Sequence, residues 1–107
     1  MEINQYEIFL VNLDPTIGSE IKKTRPCVVI LPNEMIKHLK TIVIAPMTTS
    51  SKNYPTRVEI KHDNKIGWVV LDQIRTIDKQ RLIRRLGRLS KPEVKEVKGV
   101  IKETFVD

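Results

Sequence analysis

The chain is poor in the residues on which several kinds of chemistry depend. Its one cysteine, Cys27, can form neither an internal disulfide nor a zinc knuckle. Cys27 also sits in the apolar run CVVIL, which favours a buried structural thiol. The two histidines, His38 and His62, have no second ligand type at motif spacing, so no metal site is expected. The sequence has no G-x-x-x-x-G-K-[ST], no Rossmann glycine set, no carboxylate cluster shaped for Mg²⁺ and no H-x-E. Metal-dependent nuclease chemistry therefore has little support. Only Tyr6, Phe9, Tyr54, Trp68 and Phe105 are aromatic, too few for a platform that stacks many bases. No apolar run approaches the roughly 18 residues that a membrane span needs. The start, MEINQYEIFLVNL, has acidic residues and no basic flank before its apolar stretch. It does not read as a signal peptide, and a cytoplasmic location is expected.

What is present is positive charge. The formal net charge is +6; seven Lys or Arg precede residue 60 and twelve follow it. The densest run is Lys79, Arg81, Arg84, Arg85, Arg88 and Lys91, with no acid among them. Such a balance attracts polyanions, whether RNA, DNA or an acidic protein segment, although the run also reads as a solvated basic face. The length of 107 residues fits one small domain over 1–107, and self-association would add buried area to a modest core.

Most of the chain reads as short strands. EIFLVNL at 7–13 mixes alternation with apolar crowding. CVVIL at 27–31 and TIVIA at 41–45 are β-branched runs bounded by Pro26, Pro32 and Pro46, as core strands would be. TRVEI at 56–60 alternates like a half-exposed strand, and IGWVVL at 66–71 is another candidate. Gly67 within it suggests a bulge or a close backbone approach. Residues 33–40 suit a short helix, and 78–85 suit either a short helix or a turn entering a strand. The end changes character. Ser90 to Glu93 matches a capping box with Pro92 in the first turn, and Val94, Val97, Ile101 and Phe105 recur at helical spacing. This predicts a mainly β fold, a small barrel or sandwich, with a C-terminal helix of about 12 residues packed on it.

Three segments hold candidate functional residues. The polar loop from Asp14 to Pro26 is long for a hairpin, and long loops on a rigid sheet often carry function. Arg25 is its last residue before a buried-looking strand. There it can present a planar fork to a phosphate, or pair with Glu20 or Asp14. In the segment Pro46 to Pro55, a strand ends in four hydroxyl residues, with Lys52 nearby. These suit phosphate oxygens, and equally suit turns and caps. In Val70 to Asp78, Asp72 can orient an arginine or satisfy turn amides, and Gln73 can bind a base edge.

Taken in order, three blocks resemble the signatures of the MazF/PemK family of toxin–antitoxin ribonucleases. They are EIFLVNLDPTIGSEIKKTRPCVVI, IAPMTTSSKNYPTRVEI and GWVVLDQIRTIDKQRLIRRLGRLS, which together cover nearly the whole chain. The resemblance implies an SH3-like small barrel with short helices, paired as a homodimer. It implies a cofactor-free endoribonuclease acting on single-stranded RNA, and a cognate antitoxin whose acidic, flexible C-terminal segment covers the RNA groove. It places the catalytic pair on Arg25 and Thr48. Glu20, Asp72 and Gln73 fall at positions of the general base or of site support. Ser19, Lys22, Thr49, Lys52 and Arg75 fall among the expected RNA contacts. The plasmid-borne PemK branch uses an arginine and a histidine where this chain has Val70 and Ser19, so that branch's mechanism cannot be copied whole. Phe9 replaces a common Trp or Tyr, as a packing position tolerates. The expected reaction is attack by a 2′-hydroxyl, giving 2′,3′-cyclic phosphate and 5′-hydroxyl ends. The alternative is a CcdB-like gyrase-targeting toxin or a non-catalytic nucleic-acid-binding protein.

Overall fold

The computed structural model describes residues 1–13, 24–50, 53–62 (backbone only at position 62) and 64–106. Within them run strands β1 (Glu7–Asn12), β2 (Thr24–Val29), β3 (Thr41–Thr48), β4 (Arg57–His62), β5 (Lys65–Val70), β6 (Arg75–Asp78) and β7 (Leu82–Arg88). Helix α1 (Asn33–Ile36) is a single turn, and α2 (Lys91–Ile101) follows the last strand. The sheet order is β4-β5-β3-β2-β1-β7, with β6 also paired to β3.

Apolar runs without alternation belong to strands buried on both faces. Side chains point to opposite faces of a strand in turn. Ile8, Val28 and Ala45 enter one core with Val58, Ile60, Val69, Leu71 and Val97. Their neighbours Phe9, Cys27, Val29 and Ile44 enter a second core with Val11, Ile36, Ile42, Ile77 and Leu82. Every position of CVV is therefore apolar, as are Ile42, Ile44 and Ala45 of IVIA, with Val43 among them half-buried. β4 has a core on one face only, so Val58 and Ile60 are buried while Glu59 and Lys61 face solvent.

β3 is long enough to serve two partners along one edge. Residues 41–44 pair with β6, and Met47 and Thr48 pair with β5. Its other edge pairs with β2 through Ile44, Ala45 and Pro46. Pro46 has no N–H to donate, and it falls where β6 has ended and β5 begins. This change of partner curls the sheet into a half-barrel, the realised form of the small barrel that the sequence predicts.

The capping box at α2 forms as the sequence predicts. Ser90 Oγ accepts from the Glu93 amide at 3.3 Å, and the Ser90 amide donates to Glu93 Oε1 at 2.8 Å. Glu93 Oε2 also accepts from the Lys61 amide at 3.0 Å, which ties the helix start to β4. Ser90→Ala should therefore cost about 1 kcal/mol, read as a lower urea midpoint at unchanged slope.

Two expectations need correction, and one open choice is decided. Phe105 does not continue the apolar stripe. After Ile101 the chain takes a π-type turn (Lys102–Val106), whose i→i+5 bonding shifts the register, and Phe105 is 58% exposed. Val94, Val97 and Ile101 do pack on the core. Second, the open choice over 78–85 falls to the turn entering a strand: a 3-10 turn (Lys79–Arg81), whose start Asp78 caps by accepting from the Gln80 amide at 2.8 Å, links strands 75–78 and 82–88. Third, the basic run is not one solvated face. The Lys79 ammonium donates to the Ile36 carbonyl, and Arg81 Nη1 donates to the Asn12 carbonyl at 3.2 Å. Arg85 Nε pairs with buried Glu7 at 2.9 Å, and its guanidinium lies 5.6 Å from the centre of the Phe9 ring. Gly67 makes a close approach and no bulge: a Cβ there would lie 3.3 Å from Met47 Cε.

Candidate active site

The elements converge around the C-terminal end of β3. β2 brings Arg25 along one edge of that strand, and β5 runs along the other and ends at Val70. One strand further out, β4 begins at Arg57, directly opposite Val70 in register. A 3-10 turn (Leu71–Gln73) and the start of β6 supply Gln73 and Arg75. Together they form a cleft of about 620 Å³ lined by Leu13, Arg25, Pro46, Met47, Thr48, Ser50, Arg57, Val70, Gln73 and Arg75. Among the described residues its lining holds three arginines and no carboxylate. A concave site of this size with convergent cations is suited to an extended anion.

Arg25 stands inside β2 rather than before it, paired in register with Val11 of β1. The ladder therefore fixes its backbone while its side chain reaches the cleft. Thr48 is the last residue of β3. Its Oγ1 donates to the Ser50 carbonyl at 3.2 Å and accepts from the Ser50 amide at 3.4 Å. To donate to a ligand oxygen, Thr48 needs only to rotate its hydroxyl hydrogen away from that carbonyl. Gln73 and Arg75 line the cleft as expected, whereas Thr49 is exposed and does not. The expected site residues Ser19, Glu20, Lys22 and Lys52 lie outside the described residues.

Asp72 also stands apart from the lining. Its Oδ1 accepts from Thr56 Oγ1 at 2.9 Å and from Arg57 Nε at 3.4 Å. Partial burial works to raise its pKa. The hydrogen bonds from Thr56, Arg57 and its own amide, together with the Arg57 charge, outweigh this and hold it below the usual carboxylate range. A depressed pKa means that the clamp contributes fully above the ordinary carboxylate pKa, about 4, and is lost only as pH falls through the lowered value. Cys27 is fully buried, and that burial pushes its thiol up to about 12 against the opposing charges of Arg75 and Arg25. It is a neutral, packed thiol, not a nucleophile.

Arg57 is the lining arginine that the sequence did not single out. The available signal was the outward phase of TRVEI, together with an aspartate in the D-Q block that needed a cation.

A half-barrel with a cationic cleft at the end of its central strand is the architecture of a small polyanion-binding protein. The chain belongs to the PemK-like, MazF-like toxin family of type II toxin-antitoxin systems, whose pattern matches residues 4–105. It is 36% identical over 101 residues to an endoribonuclease MazF of Staphylococcus saprophyticus, covering 89% of this chain and 84% of that one. Solved structures of similar fold include a mycobacterial endoribonuclease in complex with its cognate antitoxin (TM-score 0.84, 18% identity, 98% of this chain and 96% of that chain). Another is MazF from Deinococcus radiodurans (TM-score 0.81, 22% identity, 98% of this chain and 97% of that chain).

Proposed function

We propose that this toxin cuts single-stranded RNA by attack of a ribose 2′-hydroxyl on the adjacent phosphate. The observation that carries the reading is the cleft itself, which gathers Arg25, Thr48, Gln73 and two further arginines without a carboxylate among the described lining residues. In this reaction a bond forms between the 2′-oxygen and phosphorus, and the bond from phosphorus to the 5′-oxygen breaks. The 2′-proton goes to a base, and the departing 5′-oxygen takes up a proton. The nucleophile belongs to the substrate, so the chemistry calls for no cofactor.

Arg25 stabilises the charge that grows on the phosphate oxygens. Thr48 donates to the same group or positions the 2′-oxygen. Gln73 reads a base edge, and Arg75 holds the RNA backbone. Glu20 is the proton acceptor best suited by chemistry, and Ser19, Lys22, Thr49 and Lys52 extend the RNA contacts. Arginine releases its proton too reluctantly to serve as an ordinary acid, so Arg25 acts electrostatically.

The mycobacterial structure is an endoribonuclease with its cognate antitoxin. This chain likewise pairs with an antitoxin. An acidic, flexible C-terminal segment suits the net charge of +6 and the arginines of the cleft. The toxin works as a homodimer in the cytoplasm. The gyrase reading loses its support, since the 36%-identical relative is an endoribonuclease.

The test is digestion of a structureless RNA by purified protein in excess EDTA, with mapping of both product ends. Discrete cuts bearing 2′,3′-cyclic phosphate and 5′-hydroxyl ends are expected. Intact RNA, or 5′-phosphate ends, would overturn the reading.

A further inference from the structure

Asp72 and Arg57 form an ion pair of which neither member is fully buried: their side chains keep 37% and 20% exposure. Pairs of this kind add little to stability, yet this one is restrained from several sides. Asp72 Oδ1 accepts from Arg57 Nε and, at 2.9 Å, from Thr56 Oγ1. The Tyr54 ring lies 5.0 Å from the guanidinium carbon, a cation–π distance. Pro55 occupies the second position of a turn closed by the Arg57 amide on the Tyr54 carbonyl at 3.1 Å. The Leu71 amide on the Thr56 carbonyl, also at 3.1 Å, ties that turn to the segment carrying Asp72. The arrangement is a preset guanidinium. Rigid presetting is of use where a ligand must be held, because the ordering cost has been met beforehand.

The position of Arg57 says which part of the ligand it meets. β2, with Arg25, runs along one edge of β3; β5 and then β4, with Arg57, lie beyond the other edge. A single strand of RNA laid over Thr48 therefore passes Arg25 on one side and Arg57 on the other. Both arginines line the same cleft, while Asp72, the counter-charge, does not.

We propose that Arg57 binds a backbone phosphate flanking the scissile one, and that Asp72 is the residue that positions it. This rests on the reading of the cleft as an RNA-cutting site. Arg57 binds the ligand and has no part in bond breaking, so its loss weakens binding more than turnover.

The test compares wild type with Arg57→Ala, Arg57→Lys and Asp72→Asn on one RNA oligonucleotide containing a mapped cut site, over a series of salt concentrations. For Arg57→Ala, KM should rise about tenfold, the loss of one charge-assisted contact, with kcat within about twofold. The slope of log(kcat/KM) against log[salt] should become shallower by about 0.7, the value for one phosphate contact on a single strand. Arg57→Lys should restore that slope and part of the KM. Asp72→Asn, which keeps an accepting oxygen but removes the ion pair, should raise KM while keeping the slope, because the Arg57 charge remains and its placement is loosened; an unchanged KM would remove Asp72 from the positioning role. Oligonucleotides with a single neutral methylphosphonate locate the contact: at one flanking position wild type should weaken and Arg57→Ala should not weaken further. An unchanged KM and slope in Arg57→Ala would overturn the proposal, as would a fall in kcat alone or a loss explained by a lower melting temperature. If wild type does not cut, the same slopes are read from anisotropy of the bound oligonucleotide. Binding without cutting then sinks the nuclease reading and still decides Arg57, and absence of binding sinks both.

Discussion

Arg25→Ala is expected to lower kcat for RNA cleavage by about 10²–10³-fold, the usual loss when one preorganised donor to a transition-state oxyanion is removed. The fold should survive. Arg25 is exposed, and β2 is held through Cys27, Val28 and Val29, none of which the substitution touches. Circular dichroism and the urea midpoint should therefore match wild type. The expected pattern differs from that for Arg57, where KM moves and kcat does not. Two arginines of one cleft would then be separated by kinetics, one acting on the reacting phosphate and one on its neighbour. Cleavage by Arg25→Ala at a rate near wild type would remove Arg25 from the catalytic role.

An RNA with a single 2′-deoxy sugar on the 5′ side of the cut bond should bind and stay intact. The attacking oxygen is then missing from the substrate, and no residue of the cleft can replace it. The effect should be total within the detection limit, whereas the same replacement two or more nucleotides away should leave cleavage nearly unchanged. Normal cleavage of the first analogue would mean that water attacks the phosphate, and the internal-attack mechanism would fail. Competition by the intact analogue against ordinary RNA gives its affinity directly, so a failure to bind is not mistaken for a failure to react.

Much of the fold was legible because burial on two faces leaves a plain mark. CVV and IVIA read as core strands because Cys27, Val29, Ile42 and Ile44 serve one core while Val28 and Ala45 serve the other. The α2 cap was legible because its two hydrogen bonds join residues three apart. β7 was not legible. Only Leu82 of that strand is fully buried, and arginines on its exposed positions conceal the alternation. Phe105 misled because helical spacing carries no information about where α-type bonding gives way to π-type.

The site divides in the same way. Arg25 was a candidate from its place beside Pro26, but Thr48 stood among four hydroxyl residues, and only the resemblance to the MazF/PemK signatures picked it out. The partner of Asp72 could not be named, since Arg57 is 15 residues away in sequence and meets it only through the antiparallel pairing of β4 with β5.

The chain has one cysteine, two histidines and few aromatics. By itself the sequence determined a mainly β protein with an excess of positive charge, segments suited to phosphate chemistry and a buried thiol, because these depend on residue type and near neighbours. The tertiary structure alone decided that three of the many cations share one cleft, that much of the basic run from Lys79 onwards is tied to backbone carbonyls, Glu7 and Phe9, and that Asp72 serves Arg57. Those outcomes depend on strand order and register, which bring residues far apart in the chain within hydrogen-bonding distance, and no local pattern encodes such distances.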